Sequence, residues 1–182
     1  MRNDQKALAD IYSRIITESS GRKVIKGDVD LGNLYLKELP EWLSDVEVEG
    51  SFHCSDNKLT TLQGAPKAVK DTFYCHKNKL ITLAGAPETV GGSFWCYDNK
   101  LTTLAGAPKT VGGDFFCYNN KLTTLAGAPE TVGYFYCYNN KLTTLAGAPK
   151  TVRGGFSCYN NPGNFTEEDV IAVSNVYRGI YV

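Results

Sequence analysis

Apolar and polar positions recur in a fixed order along most of the chain. One full unit reads Phe94-Trp95-Cys96-Tyr97-Asp98-Asn99-Lys100-Leu101-Thr102-Thr103-Leu104-Ala105-Gly106-Ala107-Pro108-Lys109-Thr110-Val111-Gly112-Gly113, and its neighbours differ mostly at a few defined positions. Cys54, Cys75, Cys96, Cys117, Cys137 and Cys158 mark the repeat, with gaps of 21, 21, 21, 20 and 21 residues. Self-similarity at such a period is the mark of a solenoid, in which each unit buries its apolar face only against its neighbours. Alternation along a strand sends Phe94 and Cys96 to one side and Trp95 and Tyr97 to the other. The first pair is assigned to the core. Strands stacked in register, about 4.8 Å apart, turn every recurring residue into a column along the stack.

The one short unit replaces Gly112-Gly113-Asp114 with Gly133-Tyr134. The deletion is expected in a turn, because a one-residue slip within a strand would send every inward side chain outward. Asn57, Asn78, Asn99, Asn120, Asn140 and Asn161 should form a ladder whose amides satisfy buried backbone groups. Ala107, Pro108 and Val111, with their equivalents, are expected to pack a convex wall in extended or short 3₁₀ geometry, since proline cannot donate to a ladder.

Both ends read as caps. Ala7, Leu8, Ile11, Tyr12, Ile15 and Ile16 recur at helical spacing and give one apolar face. A degenerate unit follows, in which Val29, Leu31, Leu34, Leu36 and Leu39 take the places held elsewhere by Phe, Cys, Asn, Leu and Leu. After Asn161 the pattern stops at Pro162 and Gly163, and Thr166 followed by Glu167, Glu168 and Asp169 reads as a helix start. The closing residues 176–182 imitate the Val, Phe and Cys spacing and predict a last edge strand. The chain divides into a helical cap over 1–28, about seven units of period 21 over 29–161, and a cap of helix and strand over 162–182.

The Phe-x-Cys-x-x-Asn-x-Leu core resembles the L-x-L-x-x-N-x-L heart of the leucine-rich repeat. The stretch Asn99-Lys100-Leu101-Thr102-Thr103-Leu104-Ala105-Gly106-Ala107-Pro108-Lys109-Thr110-Val111 is similar to the unit of short bacterial leucine-rich repeats, known from injected bacterial effectors and from phage proteins. The resemblance covers roughly residues 29–161. It departs from the family pattern at the first leucine position, which holds Gly91 or Gly112 with Val90 or Val111 one place early. It implies an α/β solenoid, a leucine-rich-repeat stack of short parallel strands, encoded by a phage or bacterium and acting on a host protein. The ubiquitin-ligase members of the effector group carry a separate catalytic domain, and none is expected here.

Composition adds limits. Lysine plus arginine and aspartate plus glutamate number 19 each, so no global field draws the chain to nucleic acid or an anionic membrane. Asp4, Lys6, Asp10 and Arg14 break up any secretory apolar run near the start, and no stretch approaches membrane-spanning length. Six cysteines could form a disulfide framework, but their place in the repeat assigns them to a core, and a reducing cytoplasm, the host's if the protein is phage- or effector-encoded, is the expected location. His53-Cys54 and Cys75-His76 look like ligand pairs, yet adjacent strand residues face opposite ways and a zinc site needs about four converging ligands. No metal and no cofactor is expected.

The outward strand positions carry the candidate site. Just before the cysteines stand His53, Tyr74, Trp95, Phe116 and Tyr136; just after stand His76, Tyr97, Tyr118, Tyr138 and Tyr159. These two aromatic columns, with Tyr134, Asp98, Asp114, Asn119 and Asn139 beside them, are expected to be largely accessible and to bind a protein partner. Single-stranded nucleic acid or glycan, stacking on the rings, is the alternative. Stabilisation of the stack by the rings themselves is compatible with either. Lys58, Lys79, Lys100, Lys121 and Lys141 form a further row, assigned to a solvated edge. No phosphate loop, HExxH pair or nucleophile elbow is present, and His53 and His76 fall in different columns, so an enzyme is not expected.

Overall fold

In the computed structural model, which describes residues 3–182, the chain winds into a β-solenoid of about eight turns with its strands stacked in parallel. The first sheet has eight strands. It comprises Val29–Asp30, Phe52–His53, Phe73–Tyr74, Phe94–Trp95, Phe115–Phe116, Phe135–Tyr136, Phe156–Ser157 and, at its end, Ile180–Tyr181. Phenylalanine sits opposite phenylalanine at every central step, including Phe115 opposite Phe135 across the short unit. The inward column is therefore a continuous stack of rings, with centroids 5.2–5.9 Å apart. Phe52, Phe73, Phe94, Phe115, Phe135 and Phe156 are fully buried, and the six cysteines beside them are at most 2% exposed. The assignment of phenylalanine and thiol to the core holds.

Among the described residues α-helix is confined to α1 (Asn3–Ser13) and α2 (Glu167–Ile171), both outside the repeats. The stack is thus a β-solenoid rather than the α/β solenoid expected. The wall after each proline is extended, one of the two geometries expected, and it is in addition hydrogen-bonded into sheets of its own. A six-stranded sheet runs from Ile16–Thr17 through Lys23–Lys26, Val46–Glu49, Ala68–Val69 and Thr89–Val90 to Thr110–Val111, and a three-stranded sheet takes in Thr131–Val132, Thr151–Val152 and Asn175–Val176. The 3₁₀ geometry occurs at Glu41–Leu43. Proline ends one wall and leaves the β-branched Thr-Val pair free to form the next, which suits its side chains.

Of the expected helical cap over 1–28, the described residues 3–28 are only partly helical. After α1 the chain turns back as an antiparallel pair in which Ile16 opposes Val24. Val24 and Ile25 are fully buried, and a run of two β-branched residues between lysines favours strand over helix. Ile11 of α1 enters the core cluster, while Tyr12 packs edge-on against Trp42, centroids 5.1 Å apart. In α2, Thr166 is the N-cap as expected, with Asp169 N–H donating to its hydroxyl and Thr166 N–H donating to the Asp169 carboxylate. Val170 from that helix is fully buried.

Between units, the asparagine ladder closes the corner after each strand. Asn120 Nδ2 donates to the carbonyls of Cys96, Cys117 and Tyr118 at 3.1–3.2 Å, and its Oδ1 accepts the Leu101 N–H at 3.0 Å. One side chain thus bridges two turns. At the next corner Gly106 has φ +87, and a Cβ there would lie 2.8 Å from the Ala84 backbone nitrogen, so both the left-handed conformation and the close approach require glycine.

Asn120→Ala should cost about 2–4 kcal/mol, because it strands buried carbonyls and the Leu101 N–H without partners. Thr102→Ala, exposed on the same unit, should cost under about 1 kcal/mol. Urea unfolding of the two variants checks the contrast, and equal losses would mean that the buried amide is not what ties the turns together.

Candidate aromatic binding face

The outward positions of the first sheet form the two columns expected from alternation. The column after the cysteines is regular: His76, Tyr97, Tyr118, Tyr138 and Tyr159 stack with successive centroids 4.5 Å apart and interplanar angles of 7–13°. The column before them mixes ring sizes and is uneven. His53 and Tyr74 stack at 4.1 Å, Tyr74 meets Trp95 at 75°, Trp95 meets Phe116 at 47°, and Phe116 stacks on Tyr136 at 16°. Contacts across the columns join them, with Trp95 and Tyr97 centroids 6.0 Å apart and Tyr136 and Tyr138 centroids 6.2 Å apart.

The accessibility expected for this face is reduced. Each ring covers its neighbours' faces, so the columns are half-buried, and of the ten ring residues Tyr159, at the end of its column, is the most open to water, at 38%. What reaches water is mainly ring edges and hydroxyls. Burial raises the pKa of the Tyr97, Tyr118, Tyr136 and Tyr138 phenols above the usual tyrosine value, so these hydroxyls remain donors well into the alkaline range.

Beside the columns, Asp98 and Asp114 have partners within the stack. The Asp98 carboxylate accepts the Asn119 amide at 2.7 Å, Asn119 accepts Asn139 at 2.8 Å, and Asn139 accepts Asn160 at 2.9 Å. These residues, with Asp56 and Lys77, lie at φ 52–55, a region that asparagine and aspartate tolerate better than most residues. Asp114 belongs to another chain of contacts, at the position before the first inward residue of each strand, Val29 in the first unit and phenylalanine in those after it. Asp28, Ser51, Thr72, Ser93 and Asp114 each accept the backbone N–H of the next unit, the last from Tyr134 at 2.8 Å. The Tyr134 ring covers Gly154, where a Cβ would lie 2.6 Å away. Asn160 and this second ladder were not among the expected site residues. The doubled Asn119-Asn120, Asn139-Asn140 and Asn160-Asn161 were the available signal.

Two polar atoms on the face, His76 Nδ1 and Trp95 Nε1, are shut from water without a hydrogen-bond partner. Burial holds the His76 pKa below the usual histidine value, opposed by Asp56, whose Oδ2 is 3.9 Å from His76 Nε2. His76 is therefore neutral at pH 7. Lys77 also approaches Asp56, at 3.8 Å. The thiols lie behind this face, all free. Burial pushes Cys54, Cys75, Cys96, Cys117 and Cys137 far above the usual thiol range, and Cys158 up to about 11.

Among the described residues no group of three or more His, Cys, Asp and Glu side chains is placed to hold a metal ion, and no helix is long and apolar enough to cross a membrane. The chain matches no model of a known protein family, and a search of curated proteins finds no relative.

The buried thiols give a test of this geometry. Their folded pKa values lie above the unfolded one, so their contribution is complete below about pH 8.5 and is lost as pH rises, since unfolding then releases their protons. With five fully buried thiols, stability should fall by up to about 7 kcal/mol per pH unit once the unfolded thiols ionise. Urea unfolding between about pH 7 and pH 10 measures the slope. A flat profile would place the thiols in contact with water.

Proposed function

We propose that the protein is a non-catalytic interaction module that binds a protein partner through the aromatic face of the first sheet. The carrying observation is the pair of contiguous columns running from His53 to Tyr159, held rigid by stacking and presenting ring edges and phenol donors. Tyrosine and tryptophan supply large contact area with few rotatable bonds, which suits an interface. The unpaired Trp95 and His76 nitrogens place a local cost on this face, as expected where a surface serves recognition as well as stability.

The wider reading is that of a leucine-rich-repeat protein of phage or bacterial origin, acting in a host cytoplasm on a host protein such as a defence component, with α1 and α2 closing the ends of the stack. The repeat Phe-x-Cys-x-x-Asn-x-Leu and the asparagine ladder support that kinship. The non-catalytic part is supported by the thiols, which are protonated and buried, and by the two histidines, which stand in separate columns. Base or sugar stacking has less support on this face, because neighbouring rings already cover the flat surfaces such ligands would use.

Replacing Trp95 and Tyr118 together with alanine should abolish capture of the partner from bacterial lysate while the chain stays folded. Affinity capture with identification of the bound proteins, beside a circular dichroism comparison, decides it. Retrieval of the same partner by the folded double variant would remove the aromatic face from the interaction.

A further inference from the structure

A different face of the solenoid carries an unbalanced row of charge. Lys58, Lys79, Lys100, Lys121 and Lys141 are exposed, each is followed by a fully buried leucine, and the next residue, Thr60, Ile81, Thr102, Thr123 or Thr143, is exposed again. The lysines stand in fixed register. Their backbone N–H groups donate to Leu36, Leu59, Leu80, Leu101 and Leu122 of the preceding turns at 2.8–2.9 Å, which sets their Cα atoms at strand-like spacing, about 4.8 Å.

The same stack shows how a charged row is neutralised when nothing external is needed. After the prolines stand Lys67, Glu88, Lys109, Glu130 and Lys150, alternating in sign, and Lys150 Nζ lies 2.6 Å from Glu130. The Lys58 to Lys141 row does not alternate. Among the described residues none of its ammonium groups is within ion-pair distance of a carboxylate. Lys58 rests over the Tyr35 ring at 5.2 Å, which leaves Lys79, Lys100, Lys121 and Lys141. The neighbouring left-handed column holds two carboxylates, Asp56 and Asp98, and a further cation, Lys77, before it becomes Asn119, Asn139 and Asn160 toward the C-terminal end, so acid stands beside fewer than half of the lysines. Nearby acid therefore offers this row little compensation.

We propose that this lysine and threonine strip binds a linear phosphate polyanion laid along the solenoid axis. A row of like point charges on a short, even pitch, with the Thr102, Thr123 and Thr143 hydroxyls beside it, matches a ligand whose own charge repeats at short intervals. Ammonium groups suit phosphate as point-charge donors that need no fixed orientation. The neutral total charge of the chain does not oppose this, because screening confines the interaction to within about 8–10 Å. The site is separate from the aromatic columns and does not depend on their role.

Fluorescence anisotropy of the full chain with labelled oligothymidylate, and competition by inorganic polyphosphate, tests it. Both should bind. Four neutralised phosphates predict a roughly 50-fold loss of oligothymidylate affinity between about 50 and 200 mM salt. The variant Lys79→Gln, Lys100→Gln, Lys121→Gln, Lys141→Gln should lose about tenfold or more for both ligands. A control with the same net charge, Lys67→Gln, Lys70→Gln, Lys109→Gln, Lys150→Gln, should bind nearly as the parent does. Circular dichroism verifies that both variants are folded. Equal losses in the two variants, no binding by the parent, or oligothymidylate binding that polyphosphate does not displace would each overturn the proposal.

Discussion

The structure depends on one hydrogen-bonding arrangement, the asparagine side chain that spans two turns. A solenoid of two-residue strands leaves many backbone groups at its corners facing inward, and each buried group without a partner costs about 1–3 kcal/mol. Asn78 meets this need by donating to the Cys54 and Cys75 carbonyls and accepting the Leu59 N–H, and Asn140, in the short unit three turns further on, repeats the pattern. The residue before each asparagine takes a left-handed conformation, which aims the amide inward. Its own side chain, turned outward, is then free to make the exposed ladder from Asp98 to Asn160. Two rows with opposite duties thus follow from one backbone conformation.

The short unit shows which part of this design is rigid. With one residue removed between the Val132 and Phe135 strands, something in the stack has to give. The first sheet keeps its register, since slipping it would expose phenylalanine and thiol. The second row breaks instead, between Thr110–Val111 and Thr131–Val132. There Gly133 N–H continues the series of Gly113 to Gly92 by donating to the Gly113 carbonyl, and among the backbone bonds of the described residues the Val111 carbonyl receives no counterpart of the bond from Gly112 N–H to the Val90 carbonyl. The valines remain buried, so the cost is hydrogen-bond regularity rather than core. Tyr134 fills the vacated corner by lying over Gly154.

Much of this was legible in the sequence because it follows from parity and period. Phe94 and Cys96 inward, Trp95 and Tyr97 outward, the asparagine ladder, the Thr166 helix start and the final strand all come from counting positions. The second row of strands was not, since proline in Ala107-Pro108 drew weight away from the β-branched Thr110-Val111. Nor were the roles of Asp98 and Asp114. An acidic side chain at the surface of a repeat looks free for a partner until the neighbouring unit's donor is placed 2.7–2.8 Å away. The coverage of the rings was missed for a related reason. Alternation gives the side of the sheet on which a ring lies, whereas its exposure depends on the next ring in the column.

That coverage bears on how such a face could recognise anything. Side chains that must be immobilised on binding cost about 0.5–1.5 kcal/mol each. Rings already stacked at 4.5 Å have lost that freedom on folding, so contact with their edges carries little further entropic cost. The two columns would then contribute differently. The tyrosine column is uniform, four phenols with nearly parallel planes, and offers the same chemistry at every step. The other column changes at each unit, from His53 to Tyr74, Trp95, Phe116 and Tyr136, and its planes turn by up to 75° between neighbours. Shape, and with it choice of partner, can reside only where the steps differ. Under the proposed binding role, discrimination would therefore belong to the column before the cysteines, with Trp95 as its largest relief, while the tyrosines beside it would supply area and donors.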